Sequence, residues 1–250
     1  MNKSFFGIFL LGLLLSMSCQ KGEDVIKVEC PSEERVIEII KRFAPKAYVK
    51  VEKIEQFGEV PICEVSFRYG INYSIFYIDS KGKYVFPSVI DADSGENLVA
   101  KKISENQIIP KYILEMFEER TNYEFGKGDR FVILIFEPKN QTSEEVYKKL
   151  ISWSKEKNFK IKIILLPYYA NLEGYNIARS VICDKKTFDE VLKGYNTGKA
   201  CDEAHKILDG NIEFVFEKML LKSRPPMLIS DTGKFWTGDI TKEQFEELWK

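Results

Sequence analysis

Residues 31–103 contain one pattern of apolar residues at helical spacing and several patterns typical of extended strands. Ser32 suits the N-cap of a helix and precedes an apolar stripe at helical spacing, formed by Val36, Ile39, Ile40 and Phe43. Apolar residues then alternate with polar ones from 61 to 69, and two further extended runs surround a turn at 80–83. Residues 31–103 are therefore predicted to form a small α+β unit, with one helix against an antiparallel sheet.

A second helical pattern follows, from Ser104 to about Tyr123. Its apolar positions share one face, and Pro110 is compatible with a helix only near the first turn. We predict one amphipathic helix here and interpret residues 104–128 as a helical linker between two compact units. The alternative is that this helix belongs to the second unit.

From residue 129 the pattern is typical of a parallel sheet. Phe131–Phe136 and Ile161–Leu166 are continuous apolar runs, as expected for strands buried on both faces. A helical pattern from 143 to 157 separates them, and this order predicts a right-handed β-α-β crossover. A helical stretch, a hairpin and a final helix capped by Thr241 complete a unit over 129–250. The predicted fold class is therefore mixed, an α+β unit followed by an α/β unit.

The N-terminus has the pattern of an export signal. Lys3 precedes an apolar run from Phe5 to Leu15, which is too short to cross a bilayer as a helix but suits a secretory signal peptide. The residues before Cys19 resemble a bacterial lipoprotein cleavage site. We predict a signal peptide over 1–18, a lipidated Cys19 and a tether over 19–30, giving a membrane-anchored lipoprotein in the periplasm. The alternative is an ordinary cleaved signal peptide with an incidental cysteine.

Charge and cysteine content narrow the possible chemistry. A net charge of −1 gives no electrostatic footprint for a nucleic-acid partner. The single histidine, His205, has no cysteine at a usual zinc-ligand spacing, so neither a metal nor another cofactor is predicted. In an oxidising compartment an even number of cysteines favours disulfides, and the cysteines after Cys19 are Cys30, Cys63, Cys183 and Cys201.

Four stretches resemble the DsbC/DsbG family of periplasmic disulfide isomerases. Residues 76–84 and 91–98 are similar to the family's N-terminal dimerisation module. Residues 181–202 resemble its insertion with a structural disulfide, and residues 225–238 resemble its cis-proline strand and the following hairpin. The resemblance implies a cystatin-like dimerisation domain, a helical linker and a thioredoxin-like domain with a helical insertion. It also implies a homodimer.

The chain departs from the family where the family's chemistry takes place. The resemblance implies a C-x-x-C pair at the start of the helix after the first thioredoxin strand, where the helix N-terminus lowers the pKa of the reactive thiol. The residues matched to this motif are Gln141, Thr142, Ser143 and Glu144. Pro226 matches the cis-proline, and Pro225 before it lacks the N–H that would bind a substrate backbone. The resemblance therefore predicts a pseudoenzyme.

The remaining cysteines and tyrosines leave alternatives open. We interpret Cys183 and Cys201 as the structural disulfide of the insertion, with a relocated redox pair as the alternative. Cys30 and Cys63 are predicted to form a disulfide that joins the first helix to the sheet. The alternatives are two buried free thiols or a redox switch. The tyrosines either line a peptide-binding surface or pack half-buried, and they are Tyr168, Tyr169, Tyr175 and Tyr195.

Two hypotheses for the function follow. The first is a dimeric, non-redox protein with a chaperone-like or adaptor role, binding unfolded or disulfide-containing polypeptides or a redox-partner protein. The second is a thiol:disulfide isomerase or oxidoreductase that uses non-standard cysteines. They differ in whether any thiol of the mature protein is free to react.

Overall fold

The computed structural model describes residues 27–168 and 171–250. The predicted signal peptide, most of the tether, the lipidation position Cys19 and the candidate surface residue Tyr169 lie outside these ranges. Within the two ranges, no helix combines the length and the apolar character that a membrane span requires.

A helix and an antiparallel sheet form the first layers of the N-terminal unit. Helix α1 (Glu33–Phe43) begins where the Ser32 hydroxyl accepts a hydrogen bond of 3.4 Å from the Arg35 amide, which confirms the predicted cap. The sheet is hydrogen-bonded in chain order and consists of β1 (Val49–Gln56), β2 (Ile62–Tyr69), β3 (Asn72–Asp79) and β4 (Val85–Phe86).

Helices cover both faces of this sheet. The apolar residues of α1 pack on one face against the alternate residues Cys63, Val65 and Phe67. The other face packs against α2 (Leu98–Glu105), whose Lys102 binds the Glu64 carboxylate at 2.6 Å. The prediction of a single helix against the sheet is therefore wrong. A second helix lies over the polar side of β2, whose buried residues are Glu64, Ser66 and Arg68.

The predicted single linker helix over 104–128 is also wrong. The segment contains the end of α2, a separate helix α3 (Lys111–Glu118) and a short strand β5 (Tyr123–Gly126). Pro110 is the N-cap of α3, and a proline disfavours the helical conformation in the residue before it, so the two helices cannot merge. Residues Ile113, Leu114 and Phe117 of α3 are buried in a core shared with the second sheet.

The second unit contains a five-stranded sheet with helices around it. Its elements after β5 are β6 (Arg130–Phe136), α4 (Gln141–Lys157), β7 (Phe159–Leu165), β8 (Met227–Ser230), β9 (Phe235–Thr237) and α8 (Lys242–Glu247). The strand order of the sheet is β5-β7-β6-β8-β9. β6 and β7 are parallel and joined through α4, β8 is antiparallel to β6, and β9 and β5 are antiparallel edge strands. A β-α-β crossover followed by a hairpin and the closing helix α8 is the thioredoxin-like arrangement, as predicted.

A helical insertion separates β7 from β8. The helical stretch predicted from the sequence consists of several helices, namely α5 (Leu172–Cys183), α6 (Phe188–Leu192), α7 (Asp202–Ile212) and a π-helix (Glu213–Lys218). The chain between α6 and α7 is irregular. The disulfide Cys183–Cys201 joins the end of α5 to the N-cap of α7.

Candidate functional site

The turn between β6 and α4 is the position at which thioredoxin-like chemistry would take place. Asn140 is the N-cap of α4, and its side-chain oxygen accepts a hydrogen bond of 3.1 Å from the Ser143 amide. The buried Ser143 hydroxyl in turn accepts a bond of 3.4 Å from the Glu137 amide. Lys139 has a φ of 62°, a left-handed conformation that is uncommon outside glycine. Side-chain bonds thus fix this turn.

A buried carboxylate lies at the centre of the turn. Glu137 has no exposed surface, and its two oxygens accept four hydrogen bonds. Asn140 Nδ2 donates at 2.7 Å and Asn171 Nδ2 at 3.1 Å. Arg224 donates from both Nε and Nη2, each at 3.1 Å, in the two-pronged geometry that suits a carboxylate. We call Glu137, Asn140, Asn171 and Arg224 the Glu137 cluster.

The Glu137 cluster keeps its carboxylate ionised. Burial is the largest influence on the pKa of Glu137 and acts to raise it. The hydrogen bonds from Arg224, Asn140 and Asn171, with the positive charge of Arg224, outweigh burial and hold the pKa below its ordinary value. Glu137 therefore neither gives nor takes a proton near neutral pH, and the cluster acts as a structural cross-link.

The cluster also reaches the cis-proline loop. The peptide bond between Pro225 and Pro226 is cis. Asn140 Nδ2 donates a second bond, of 3.3 Å, to the carbonyl of Pro225. Because Pro225 is itself a proline, the residue before the cis-proline has no backbone N–H. Its carbonyl already accepts the bond from Asn140. Both backbone groups that would hold an extended peptide at this point are altered.

The structure places the residues matched to the C-x-x-C motif in different surroundings. Gln141 is exposed and bonds to Glu145 at 2.8 Å, and Glu144 is half-buried on the first turn of α4. The residues turned towards the protein interior and the cis-proline loop are Asn140 and Ser143.

Sequence reasoning missed the Glu137 cluster, although one signal was present. An acidic residue, Glu137, directly follows an apolar strand that is buried on both faces. A carboxylate at such a position requires buried donors, since an unpaired buried charge is strongly unfavourable. Its donors come from distant parts of the chain, at Asn171 and Arg224, so their identity needed the tertiary structure.

The four cysteines in the described ranges form two disulfides. Cys30 bonds to Cys63 and Cys183 to Cys201, each with 5.8 Å between Cα atoms. Cys201 is the N-cap of α7, a position that could activate a thiol, but Asp202 in the first turn adds negative charge there. No group of metal-binding side chains occurs within the described residues.

The tyrosines singled out in the sequence have structural partners. The Tyr175 hydroxyl lies 3.0 Å from His205 Nδ1 and donates to Asp209 at 3.2 Å. The Tyr195 hydroxyl donates to Asp184 at 3.1 Å. Tyr168 differs because its ring lies 5.1 Å from the Arg224 guanidinium, beside the Glu137 cluster. Tyr168 is thus the tyrosine of this set that borders the candidate site within the described residues.

A separate apolar surface lies on the N-terminal unit. A groove of about 230 Å³ runs between α1 and the sheet, and Phe43 at its rim is 84% exposed. The short strand β4 forms the adjacent sheet edge, where Tyr84, Val85 and Phe86 are all exposed. We call the exposed strand edge at Tyr84, Val85 and Phe86 the β4 edge, and the groove beside it the apolar groove. The remaining groove residues are Ile39, Ile40, Ala44, Phe67, Tyr69 and Phe76.

Comparisons with known proteins give similarity in structure only. No protein-family model matches the chain, and no curated protein matches its sequence. The chain is similar to Helicobacter pylori DsbG, with a TM-score of 0.34 and 10% identity over 79% of this chain and 100% of that one. It is also similar to the catalytic domain of Proteus mirabilis ScsC, with a TM-score of 0.41 and 11% identity over 54% of this chain and 93% of that one.

A third similar structure is a disulfide interchange protein from Neisseria gonorrhoeae, with a TM-score of 0.39 and 16% identity over 52% of this chain and 94% of that one. TM-scores and identities this low carry no argument about activity. The thioredoxin-like fold therefore rests on the strand order of the second sheet, and DsbG, ScsC and the disulfide interchange protein are structural neighbours of this chain.

Proposed function

We propose that this protein is an exported dimer that binds polypeptides and does not catalyse thiol–disulfide exchange. The observation that carries the proposal is the Glu137 cluster, which occupies the turn where a reactive thiol pair would have to lie. The chain has no cysteine between Cys63 and Cys183. This proposal makes the thioredoxin-like unit a pseudoenzyme with a binding role, chaperone-like or adaptor-like.

The chemistry of disulfide exchange supports this reading. Exchange begins with attack by a thiolate, and a helix N-terminus or a nearby cation is needed to stabilise that anion. Here the helix start carries Asn140 and Ser143, whose side chains are not nucleophiles of that kind. The adjacent ionised Glu137 would further disfavour a thiolate, because two negative charges at close range repel each other.

The β4 edge supports dimerisation through residues 31–103. The Asp79 amide donates to the Tyr84 carbonyl at 3.1 Å, so Val85, the next residue, directs its own N–H and C=O away from β3. An open edge with exposed apolar side chains is a template for pairing with another strand. A second copy of the chain presenting the same edge would satisfy these groups and bury the apolar residues together.

The apolar groove supports the binding of unfolded polypeptides. Phe43 projects from the end of α1 into solvent, and the groove behind it is lined almost entirely by apolar side chains. Unfolded chains expose apolar residues that would gain from burial in such a groove. The partner class is therefore an unfolded polypeptide or a partner protein that presents an apolar segment.

The redox part is tested on the mature protein by alkylation before and after reductant and by an insulin-reduction assay. We expect no alkylated thiol before reductant, apart from any unmodified Cys19, and no insulin reduction. Installing a thiol pair with Asn140→Cys and Ser143→Cys is expected to leave insulin reduction undetected, because the ionised Glu137 still disfavours a thiolate at this turn. Insulin reduction by the wild type that disappears in Cys30→Ser would instead establish an oxidoreductase.

Dimerisation is tested by sedimentation equilibrium. We expect a dimer for the wild type and a shift towards monomer for Val85→Lys, because the new charge would be buried at the paired edge. Val60→Lys is the control, since Val60 is similarly exposed (43% against 38% for Val85) but lies in the turn before β2. A wild type that is monomeric at micromolar concentration contradicts the proposal.

Polypeptide binding is tested by suppression of aggregation of denatured citrate synthase. Phe43→Ser is expected to weaken the suppression, and Leu172→Ser is the control because Leu172 is similarly exposed, at 75%, outside the groove. Equal suppression by wild type, Phe43→Ser and buffer contradicts a holdase role. The proposed lipid anchor is tested separately, since Cys19→Ser should release the protein from the membrane fraction.

A further inference from the structure

The N-terminal unit docks on the end of the π-helix in the insertion. The Tyr48 amide donates to the Lys218 carbonyl at 2.9 Å, and the Ile71 amide donates to the Met219 carbonyl at 3.0 Å. Gly70, with a φ of +63°, lies against Met219 so closely that a Cβ atom there would collide with the Met219 carbonyl oxygen. Backbone amides of the N-terminal unit therefore bond to the last carbonyl of the π-helix and to the carbonyl of its C-cap, Met219.

The docked segment has an unusual backbone. The π-helix is a rare conformation that is frequently found at functional sites. Leu220, which follows Met219, has a φ of 55°, a left-handed conformation that crowds a Cβ atom against the backbone. Ile71 is buried in the same core as Met219. Neighbouring structure must hold such a backbone in place, and here the N-terminal unit supplies part of that structure.

The same segment leads directly into the candidate site. After Leu220 the chain passes through buried Leu221 to Arg224, which binds Glu137, and to Pro225, whose carbonyl binds Asn140. The docking contact and the Glu137 cluster are therefore the two ends of one short connection. A displacement at Met219 would move Arg224 relative to Glu137.

We propose that the N-terminal unit positions the cis-proline loop, by holding Met219 and thereby keeping Arg224 in the Glu137 cluster. Gly70 and Ile71 are positioning residues in this arrangement. The inference goes beyond polypeptide binding and does not depend on it. It assigns to the predicted dimerisation unit a second role, as a fixed support for the thioredoxin-like site of the same chain.

The test compares Gly70→Ala with Gly58→Ala in the full mature chain. Both glycines have a left-handed φ, of +63° and +56°, but a Cβ atom at Gly58 meets nothing within 4 Å. The backbone penalty is therefore matched, and the collision with Met219 is the difference. Two NMR readouts are used, namely amide exchange at Ile71 and at Gly238, and the pKa of the Glu137 carboxyl from its carbon shift.

For Gly70→Ala we expect exchange at Ile71 to rise by about tenfold or more relative to Gly58→Ala, through local opening. We expect exchange at Gly238, whose amide donates to the Pro226 carbonyl, to rise with it, and the pKa of Glu137 to rise. A general loss of stability would accelerate exchange without changing the pKa of Glu137. Faster exchange at Ile71 with an unchanged Glu137 pKa and unchanged exchange at Gly238 overturns the proposal.

A milder pair covers the case in which Gly70→Ala does not fold. Ile71→Val and Ile39→Val remove the same methylene from buried positions of the same unit, but Ile39 lies on α1 and packs against the N-terminal sheet, in a different core from Met219. Only Ile71→Val is expected to raise the Glu137 pKa and to accelerate exchange at Gly238. Equal effects of the two variants on both readouts overturn the proposal.

Discussion

The Glu137 cluster makes a quantitative prediction for Arg224→Met. The substitution removes two hydrogen bonds to a fully buried carboxylate, together with the guanidinium that lies over the Tyr168 ring. Removing one partner of a fully buried ion pair costs about 3–5 kcal/mol. The Arg224 side chain is 57% exposed, so solvent screening reduces the effect. We expect a loss of about 2–3 kcal/mol in the free energy of unfolding at neutral pH.

A matched control is available on helix α1. Arg42 bonds to Glu38 with a side-chain exposure of 62%, close to that of Arg224, but its carboxylate partner is 55% exposed. Exposed pairs of this kind contribute little to stability, because water and salt screen both charges. Arg42→Met should therefore have little effect. The contrast between the two variants isolates burial of the carboxylate as the cause.

The effect of Arg224→Met should also depend on pH. In the wild type the pKa of Glu137 is lowered, so the carboxylate stabilises the protein above its ordinary pKa, and this stability is lost as the pH falls through the lowered value. In the variant burial is no longer offset by Arg224, so the pKa should rise and protonation should restore stability as the pH falls. The difference between the two proteins should therefore shrink with decreasing pH.

The assay is urea unfolding at fixed protein concentration, because the stability of the proposed dimer would depend on concentration. Unfolding is measured at neutral pH and at about pH 4, near the ordinary carboxyl range. The reasoning is refuted if Arg224→Met costs no more than Arg42→Met at neutral pH. It is also refuted if the cost of Arg224→Met is the same at both pH values.

Three further predictions use the same unfolding assay. Replacing Cys183 and Cys201 by serine should cost about 3 kcal/mol by removing a loop closure, and an unchanged midpoint would count against a structural role. Gly174→Ala should lower the free energy of unfolding, since the new Cβ atom would lie 2.5 Å from the Pro138 carbonyl oxygen. Gly210→Ala is the control and should be neutral or stabilising, because its Cβ atom would meet only the flexible Arg120 side chain. Equal effects of the two variants would refute the clash. Thr241→Ala should cost about 1 kcal/mol by removing the capping box of α8, and an unchanged free energy of unfolding would refute a stabilising role of this cap.

Local patterns were sufficient for the elements whose residues carry their own signals. Ser32 and Thr241 cap helices because a side-chain hydroxyl can bond to an amide only a few residues away. The apolar runs of β6 and β7 predicted buried parallel strands because both faces of such strands need apolar side chains. The cysteine pairs of the insertion and of the N-terminal unit are the two disulfides of the structure.

Apolar periodicity was insufficient where an amphipathic segment could pack against more than one neighbouring element. The residues from Ser104 to Tyr123 have one apolar face, and periodicity does not say what that face contacts. The structure divides the segment at Pro110 and buries Phe117 in the core of the second sheet. The polar side of β2 is another example, since the donors to the buried Glu64 carboxylate are the Tyr77 hydroxyl and Lys102 of α2, which lies far along the chain.

The sequence by itself determined that no thiol pair stands at the start of α4, since this follows from residue identity alone. Its apolar runs also predicted that β6 and β7 are buried parallel strands joined through a helix. Only the tertiary structure decided what replaces the thiols, because the donors of Glu137 lie at Asn171 and Arg224, far apart in the chain. It likewise decided that Gly70 meets Met219, since a close backbone approach depends on how two units pack and leaves no periodic pattern in the sequence.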